Sequence, residues 1–277
     1  DFENASAKFL VAATDDPRAP VQAAARLLAA QSFLNLSVTT PDRIGEAVEQ
    51  AQRYIDDHSN GAGLQEARAM HARAKWLAGD AAAAALLFDA LFQEASAGEI
   101  TPGYKLTPCL SAGLSAARAY LATGETLPAR ETFSKLRQRA DSGIAALEEE
   151  SSERIELQRL SLEARAGEGF ALLAAKQGKQ AITFFESQLS SASKTQSSLR
   201  YAALLGLGEA FLAENRVREA QLKFAQVSSL DHTDRDRVAR ALFLLAKSTQ
   251  ELADPNSTGT VKAWLESIVN DYGDTLW

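Results

Sequence analysis

Apolar side chains recur along the chain at the three- and four-residue spacing of amphipathic helices, and strand-like alternation is almost absent. The clearest unit runs from Tyr201 to about Leu230 and contains two such segments, separated by a turn at Asn215–Arg216. The first segment places Leu204, Leu207, Gly208 and Phe211 on one helical face. The second segment does the same with Ala220, Phe224 and Val227. The pattern predicts two antiparallel helices that meet at their small residues, Gly208 and Ala220.

This unit resembles the tetratricopeptide repeat family. In that family the first helix of each pair (helix A) carries a small residue and, three positions later, an aromatic residue. A turn with Gly or Asn follows, and the second helix (helix B) carries an Ala and, four positions later, an aromatic residue. The residues that match this pattern are Leu207, Gly208, Phe211, Asn215, Ala220 and Phe224. The resemblance implies an all-α fold, a right-handed superhelical solenoid of antiparallel helix pairs.

The same pattern recurs three times upstream. The first match consists of Ala117, Tyr120, Gly124, Ala129 and Phe133. The second consists of Ala72, Gly79, Ala84 and Phe88, with Trp76 one place later than the usual aromatic residue. The third has a shorter turn, because Ala181 comes two residues early in the set Ala171, Gly178, Ala181 and Phe185. Four matches in one chain strongly support the resemblance.

Weaker units at both ends extend the pattern to a single solenoid over residues 1–277. We expect a half repeat at 1–18 and repeats at 20–60, 62–97, 106–141, 150–193, 197–230 and 235–277. The first segment is similar to an isolated helix B, and the last residues are similar to a turn that leads into another repeat. The sequence is therefore interpreted as a fragment of a longer array. Apolar faces left open at Phe9 and near Trp264 predict end-to-end pairing into a homo-oligomer.

The predicted helix-B alanines lie further apart than the roughly 34 residues of the family, so the repeats are irregular. Part of the extra length is a predicted loop at Gly98–Pro108. Around Ser142–Leu162 a loose helical period predicts longer helices, with Glu148–Glu150 on a solvated helix face.

Composition narrows the class of function. Hydrophobic residues make up 46% of the chain and aromatic residues only 7%, so alanine supplies much of the core and lets helices approach closely. The net charge is −7, and no Lys/Arg cluster provides the basic face that nucleic-acid binding needs. The longest apolar run, Ala81–Phe88, is too short to span a bilayer, so no direct membrane insertion is expected.

Candidate chemistry is sparse. The chain has one cysteine, Cys109, which excludes an internal disulfide. Cys109 lies beside Pro108 at a predicted helix start, where a thiol can be reactive, but no His is near in sequence, which favours a buried, inert thiol. The three histidines, His58, His71 and His232, lack metal-ligand spacing. The cluster Asp231, Asp234 and Asp236 is better explained as the N-terminal cap of the next helix than as a calcium site. With no phosphate-binding loop or nucleophile motif, the sequence predicts no enzyme, no cofactor and no metal.

The resemblance implies that helix-A side chains line a concave groove that binds a peptide or partner protein. The groove residues that carry over are Glu66, Arg73, Trp76, Ser111, Arg118, Arg165, Glu168 and Glu209. Trp76 beside Arg73 is either a binding anchor or a packing aromatic, and both readings stay open. Family members that grip a chaperone's C-terminal carboxylate use Lys and Asn in places where this chain has Leu114 with Arg118, and Leu205 with Glu209. Chaperone-tail binding is therefore not expected.

The sequence thus favours a protein–protein interaction scaffold with protein or peptide partners. Its alanine-rich, loosely spaced repeats resemble those of bacterial assembly and cell-envelope proteins, which favours a periplasmic or envelope location over the cytoplasm. The alternative is a cytoplasmic regulatory or sensor domain that controls an attached effector. A third hypothesis, an all-α enzyme, lacks a catalytic cluster.

Overall fold

The computed structural model describes residues 2–58, 63–94, 106–192, 197–252 and 257–273. Over these residues the chain forms α-helices and a single turn of 3-10 helix (Pro41–Arg43), without any strand, which confirms the all-α prediction. The helices are α1 (Phe2–Asp15), α2 (Ala19–Leu36), α3 (Ile44–Asp57), α4 (Leu64–Leu77), α5 (Ala81–Glu94), α6 (Leu106–Ala122), α7 (Thr126–Ala146), α8 (Ser152–Ala174), α9 (Gly178–Ser191), α10 (Ser197–Ala213), α11 (Val217–Leu230), α12 (Arg235–Glu251) and α13 (Thr258–Asp271).

The helices group into two compact units, unit 1 (Asp1–Leu160) and unit 2 (Ser161–Trp277). In unit 1 each helix from α1 to α6 packs against the next helix along the chain, and in unit 2 the same holds for α9 to α12. One core of unit 1 is built from Ala29, Ala30, Phe33, Leu34, Ala47, Ala51, Met70 and Ala74. The main core of unit 2 surrounds Phe185, Phe211 and Phe224. Packing of sequence neighbours is the arrangement expected of helical repeats.

Four helix pairs share one turn geometry. In each turn a single residue adopts positive φ, namely Gly79 (84°), Gly124 (82°), Lys176 (58°) and Asn215 (60°). The next residue donates its backbone N–H to the carbonyl oxygen five positions back, as Arg216 does to Phe211 at 2.8 Å and Gln177 to Leu172 at 2.9 Å. This Schellman motif satisfies carbonyl groups at the end of helix A and reverses the chain direction.

The shared turn corrects the third sequence match. In all four pairs an alanine follows the positive-φ residue by five positions and a phenylalanine by nine. The turn residue of the third pair is therefore Lys176, whereas Gly178 begins α9, and Ala181 is not early. Counting back seven residues gives Gly169, not Ala171, as the small residue of helix A. The error arose because lysine rarely adopts positive φ, so a nearby glycine was taken for the turn.

The small helix-A residues make room for the phenylalanines of helix B. A Cβ atom at Gly169 or at Gly206 would lie closer to the ring of Phe185 than real Cβ contacts allow. Gly208 stands in the same relation to Phe224, so these two helices approach closely at Gly208 as predicted, but the closest partner is the ring of Phe224 and not Ala220. Each of these rings is thus buried directly against the backbone of helix A.

The connection between α7 and α8 differs in part from the prediction. The two helices are long, 21 and 23 residues, as expected. However, Glu148–Glu150 lie exposed in the connection between them and not on a helix face. The guanidinium group of Arg154 donates hydrogen bonds to the carbonyl oxygens of Ile144 (2.8 Å) and Leu147 (2.7 Å). These bonds satisfy terminal carbonyl groups of α7 and so stabilise its end before the glutamates.

Two further expectations concern the loop and the chain ends. Most of the predicted loop at Gly98–Pro108 lies outside the described residues, but its last three residues belong to the first turn of α6. Phe9 and Trp264 are not open faces, because both are half-buried against the cores of their own units. The large apolar residues exposed on the first and last helices are instead Phe2 and Val11 on α1, and Leu265 and Val269 on α13. The division into repeats and the end-to-end pairing stay predictions.

Candidate partner-binding surface

The shared turn geometry defines equivalent positions on helix A. The sixth residue before the positive-φ residue is Arg73 in α4, Arg118 in α6, Phe170 in α8 and Glu209 in α10. Both arginines are exposed, and Phe170 and Glu209 are half-buried. Three of the predicted groove residues therefore occupy one structural position, and Phe170 is a fourth member of this set that the misplaced turn concealed.

Trp76 does not occupy the aromatic packing position. That position, four residues before the positive-φ residue, holds the buried Tyr120, Leu172 and Phe211 in the other three pairs. In α4 it holds Lys75, and Trp76 follows with 39% of its surface exposed. Because Trp76 lies three residues after Arg73, the two side chains share one face of α4. The role of Trp76 as a binding anchor stays a prediction.

Glu66 extends the exposed face of α4, since it lies two helical turns before Arg73 and is itself exposed. On α6 the equivalent pair is Ser111, which is half-buried, and Arg118, which is exposed. Leu114 lies between them but is buried, with 5% of its surface exposed. Unit 1 therefore presents charged and small polar side chains on the same face of two successive helices A.

In unit 2 the predicted groove residue Glu209 lies in a cluster contributed by three helices. Its Oε2 atom accepts a hydrogen bond from Arg240 Nη2 of α12 at 2.7 Å. The guanidinium carbon of Arg240 lies 5.2 Å from the ring centroid of Phe170 in α8. The side chains of Arg240 and Glu209 remain 31% and 18% exposed, respectively. We refer to Phe170, Glu209 and Arg240 as the α8–α10–α12 cluster.

The hydrogen bond from Arg240 replaces only part of the hydration that the Glu209 carboxylate loses on burial. Its second carboxylate oxygen, Oε1, is buried and accepts no hydrogen bond within the described structure. Burial raises the pKa of Glu209 above its usual value of 4.5, and the charge and hydrogen bond of Arg240 act in the opposite direction. The net direction is upward, so the single contact with Arg240 does not replace the hydration that the carboxylate has lost.

The remaining two groove candidates lie on α8. Arg165 is half-buried and Glu168 is buried, with 9% of its surface exposed. Glu168 stands eight residues before Lys176, the position that the buried His71 takes in α4. Glu168 therefore lies at a packing position of helix A, and a role for either residue in partner binding stays a prediction. Sequence reasoning missed Arg240 because no motif connects it to Glu209, which lies 31 residues earlier.

The residues that could carry chemistry, Cys109 and the histidines, have contacts typical of structural residues. Cys109 is buried, as expected. Burial lowers the pKa of His71, and the charge of Lys75 lowers it further. The ring of His58 stacks on Tyr54 with 4.7 Å between centroids. Within the ranges that the structure covers, no three His, Cys, Asp or Glu side chains converge as metal ligands would.

The aspartates between α11 and α12 confirm the capping prediction in one case. Asp234 caps α12 by accepting the backbone N–H of Arg237 at 3.0 Å. Asp231 has a different role, because its buried carboxylate forms an ion pair with Arg237 at 2.5 Å and also accepts the backbone N–H of Thr233. Asp236 lies inside the first turn of α12. The cluster therefore fixes the start of a helix.

None of the described helices combines the length with the apolar character that crossing a bilayer requires. This finding concerns the described residues alone.

Comparisons with known proteins identify the type of fold. No family model matches the sequence, and no curated protein is significantly similar to it. Among solved structures, the nearly identical TPR-like repeats of a putative kinesin light chain from Podosopora anserina superpose with a TM-score of 0.51 at 20% identity, over 72% of this chain and 93% of that one. The chain has the tetratricopeptide-type repeat fold. The family resemblance seen in the sequence is therefore confirmed at the level of the fold.

A second solved structure matches over a larger part of the chain. The Rap conjugation gene regulator of plasmid pLS20, solved in complex with the Phr* peptide, has a TM-score of 0.60 at 11% identity. The match covers 99% of this chain and 76% of the regulator. A point variant of the Podosopora anserina protein gives a TM-score of 0.52 at 19% identity, over 79% of this chain and 96% of that one.

Proposed function

We propose that this tetratricopeptide-type protein is an interaction scaffold that binds a peptide, or a segment of a partner protein, through the exposed faces of its helices A. The observation that carries the proposal is Trp76, which stays 39% exposed beside the exposed Arg73 instead of filling the packing position. Tryptophan and arginine contribute a large share of the binding energy at protein interfaces. An exposed tryptophan on a helix-A face is therefore well suited to anchor a ligand.

The test uses peptides selected from a random peptide library displayed on phage, with the wild-type protein as bait. Trp76→Ala should lower the affinity for the selected peptides tenfold or more, which corresponds to about 1.4 kcal/mol of binding free energy. The melting temperature should change little, because the side chain is not in the core. Leu86→Ala is the matched control, since Leu86 is 66% exposed on a helix B. A large loss of thermal stability with unchanged peptide affinity would assign Trp76 to packing instead.

The second candidate function is a peptide-responsive regulatory domain. It is favoured by the match of nearly the whole chain to a regulator that was solved with a bound peptide. In such a domain, binding must alter regions remote from the ligand. Hydrogen exchange with and without a selected peptide distinguishes the two candidates, because a passive scaffold changes its protection only at the helices in contact. Changes in both units would support the regulatory function.

The cellular setting is proposed on the family resemblance, which points to a bacterial assembly or cell-envelope system. Fractionation of cells that express the protein from its natural gene tests this setting. Recovery in the envelope fraction is the expected result, and recovery in the cytoplasm would favour the regulatory alternative.

A further inference from the structure

The α8–α10–α12 cluster has a hydrogen-bond acceptor that the described part of the protein does not use. Glu209 gives one oxygen to Arg240, and its Oε1 atom accepts no hydrogen bond from the described residues although it is buried. Buried polar atoms without partners are uncommon, because each has lost its hydration without compensation. The Oε1 atom can therefore accept a hydrogen bond from a further donor.

The α8–α10–α12 cluster is partly open to solvent. The side chains of Glu209 and Arg240 are 18% and 31% exposed, so the cluster reaches the surface of unit 2. Glu209 also lies at the helix-A position that the exposed Arg73 and Arg118 occupy in unit 1.

The chemistry of the site favours a cationic donor. An ionised carboxylate can only accept hydrogen bonds, and it has enough lone pairs to serve two cations at once. The upward pKa direction of Glu209 shows that its charge is undercompensated beside Arg240. A second N–H donor that carries positive charge would compensate it most strongly.

We infer that the α8–α10–α12 cluster is a specificity site that binds an arginine or lysine side chain of the peptide ligand through Glu209. The inference rests on the proposed peptide-binding function and adds the chemical class of one ligand residue. Arg240 occupies one oxygen of this carboxylate through the 2.7 Å hydrogen bond, and the guanidinium group of Arg240 lies over the ring of Phe170. Arg165 and Glu168, which lie on α8 with Phe170, are the other charged predicted groove residues of unit 2.

The test measures binding of a fluorescent, end-capped hexapeptide of alternating arginine and glycine by fluorescence anisotropy. We expect Glu209→Gln to lower the affinity for this peptide about tenfold or more, because a charge-assisted hydrogen bond is lost. Glu149→Gln removes the same charge at an exposed position between α7 and α8 and should leave the affinity unchanged. The corresponding glutamate–glycine peptide should not bind. Equal effects of the two variants would reduce the binding to general electrostatic attraction and overturn the inference.

A second variant, Arg240→Gln, is measured with the same arginine peptide, and here no loss of affinity is expected. Removing Arg240 frees the other oxygen of Glu209, so binding of the arginine peptide should be retained or strengthened. Loss of arginine-peptide binding in this variant, with its helical circular dichroism unchanged, would contradict a cation site. If Trp76→Ala weakens binding of the phage-selected peptides but Glu209→Gln leaves the affinity for the arginine peptide unchanged, this inference fails and the proposed function stands. If no peptide of either kind binds, both fail.

Discussion

Phe185 illustrates at the residue scale how the helices are held at short distances. Its ring is fully buried between Gly169 of α8 and Gly206 of α10, and it meets the ring of Phe170 edge-on with 5.7 Å between centroids. The absence of a side chain at both glycines lets the ring contact the helix backbone on either side. The cost of a glycine inside a helix is offset here by the apolar surface that the phenylalanine buries.

Gly206→Ala should therefore destabilise the protein. The added methyl group overlaps the ring of Phe185, and overpacking of this kind lowers the free energy of unfolding by about 1–3 kcal/mol. Gly45→Ala in α3 is the control, because no atom lies within 4 Å of its new Cβ and alanine favours helices. Urea denaturation checks both variants. Similar stability changes in the two would argue against the packing of Phe185 described above.

His71 gives the folding stability a defined pH dependence. Burial lowers its pKa below 6.5 in the folded protein, so the unfolded chain binds the proton more readily. Stability should therefore fall as the pH decreases from 6.5 toward the folded pKa. His71→Gln should remove this part of the pH dependence. Urea denaturation of both proteins between pH 5 and pH 8 measures the difference, and parallel curves would show that His71 does not contribute.

At the scale of the elements, the four helix pairs keep one geometry despite different sequences. Each turn has one residue at positive φ and a Schellman hydrogen bond, and helix B always starts in the same register after it. Glycine at Gly79 and Gly124 adopts this conformation without steric cost, whereas Lys176 does so at some cost. The register is therefore maintained by the packing of helix B and not by the identity of the turn residue.

Lys176→Gly should relieve this cost and raise the free energy of unfolding by about 0.5–1 kcal/mol. Lys223→Gly is the matched control, because Lys223 lies in the middle of α11 and a glycine there should cost about 1 kcal/mol. Thermal or urea denaturation distinguishes the two. If Lys176→Gly destabilised the protein as much as the control, the positive φ of this turn would be in doubt.

At the scale of the whole molecule, the chain forms two compact units of the same helical design. Acidic residues exceed basic ones mainly in unit 1, whereas unit 2 is nearly balanced. Each unit contains its own part of the proposed binding surface, with Trp76 and Arg73 in unit 1 and the α8–α10–α12 cluster in unit 2.

Self-association is the prediction that belongs to this scale. The last described helix, α13, leaves Val269 74% exposed and Leu265 40% exposed, and such apolar residues favour association between molecules. Sedimentation velocity over a range of concentrations should show reversible pairing of the wild-type protein. Val269→Lys should weaken the pairing without changing the melting temperature. A monomer at all concentrations for both proteins would contradict the prediction.

The sequence by itself determined the all-α class, the helix pairs, and the close approach of two helices at Gly208, whereas the structure showed that Gly208 lies against the ring of Phe224. The sequence did so because helix periodicity and small-residue spacing are local properties of the chain. Tertiary structure decided the turn at Lys176, the end of α7 before Glu148, and the pairing of Glu209 with Arg240 beside Phe170. These features depend on packing and on contacts between residues far apart in the chain, which override the local preferences that a sequence pattern records.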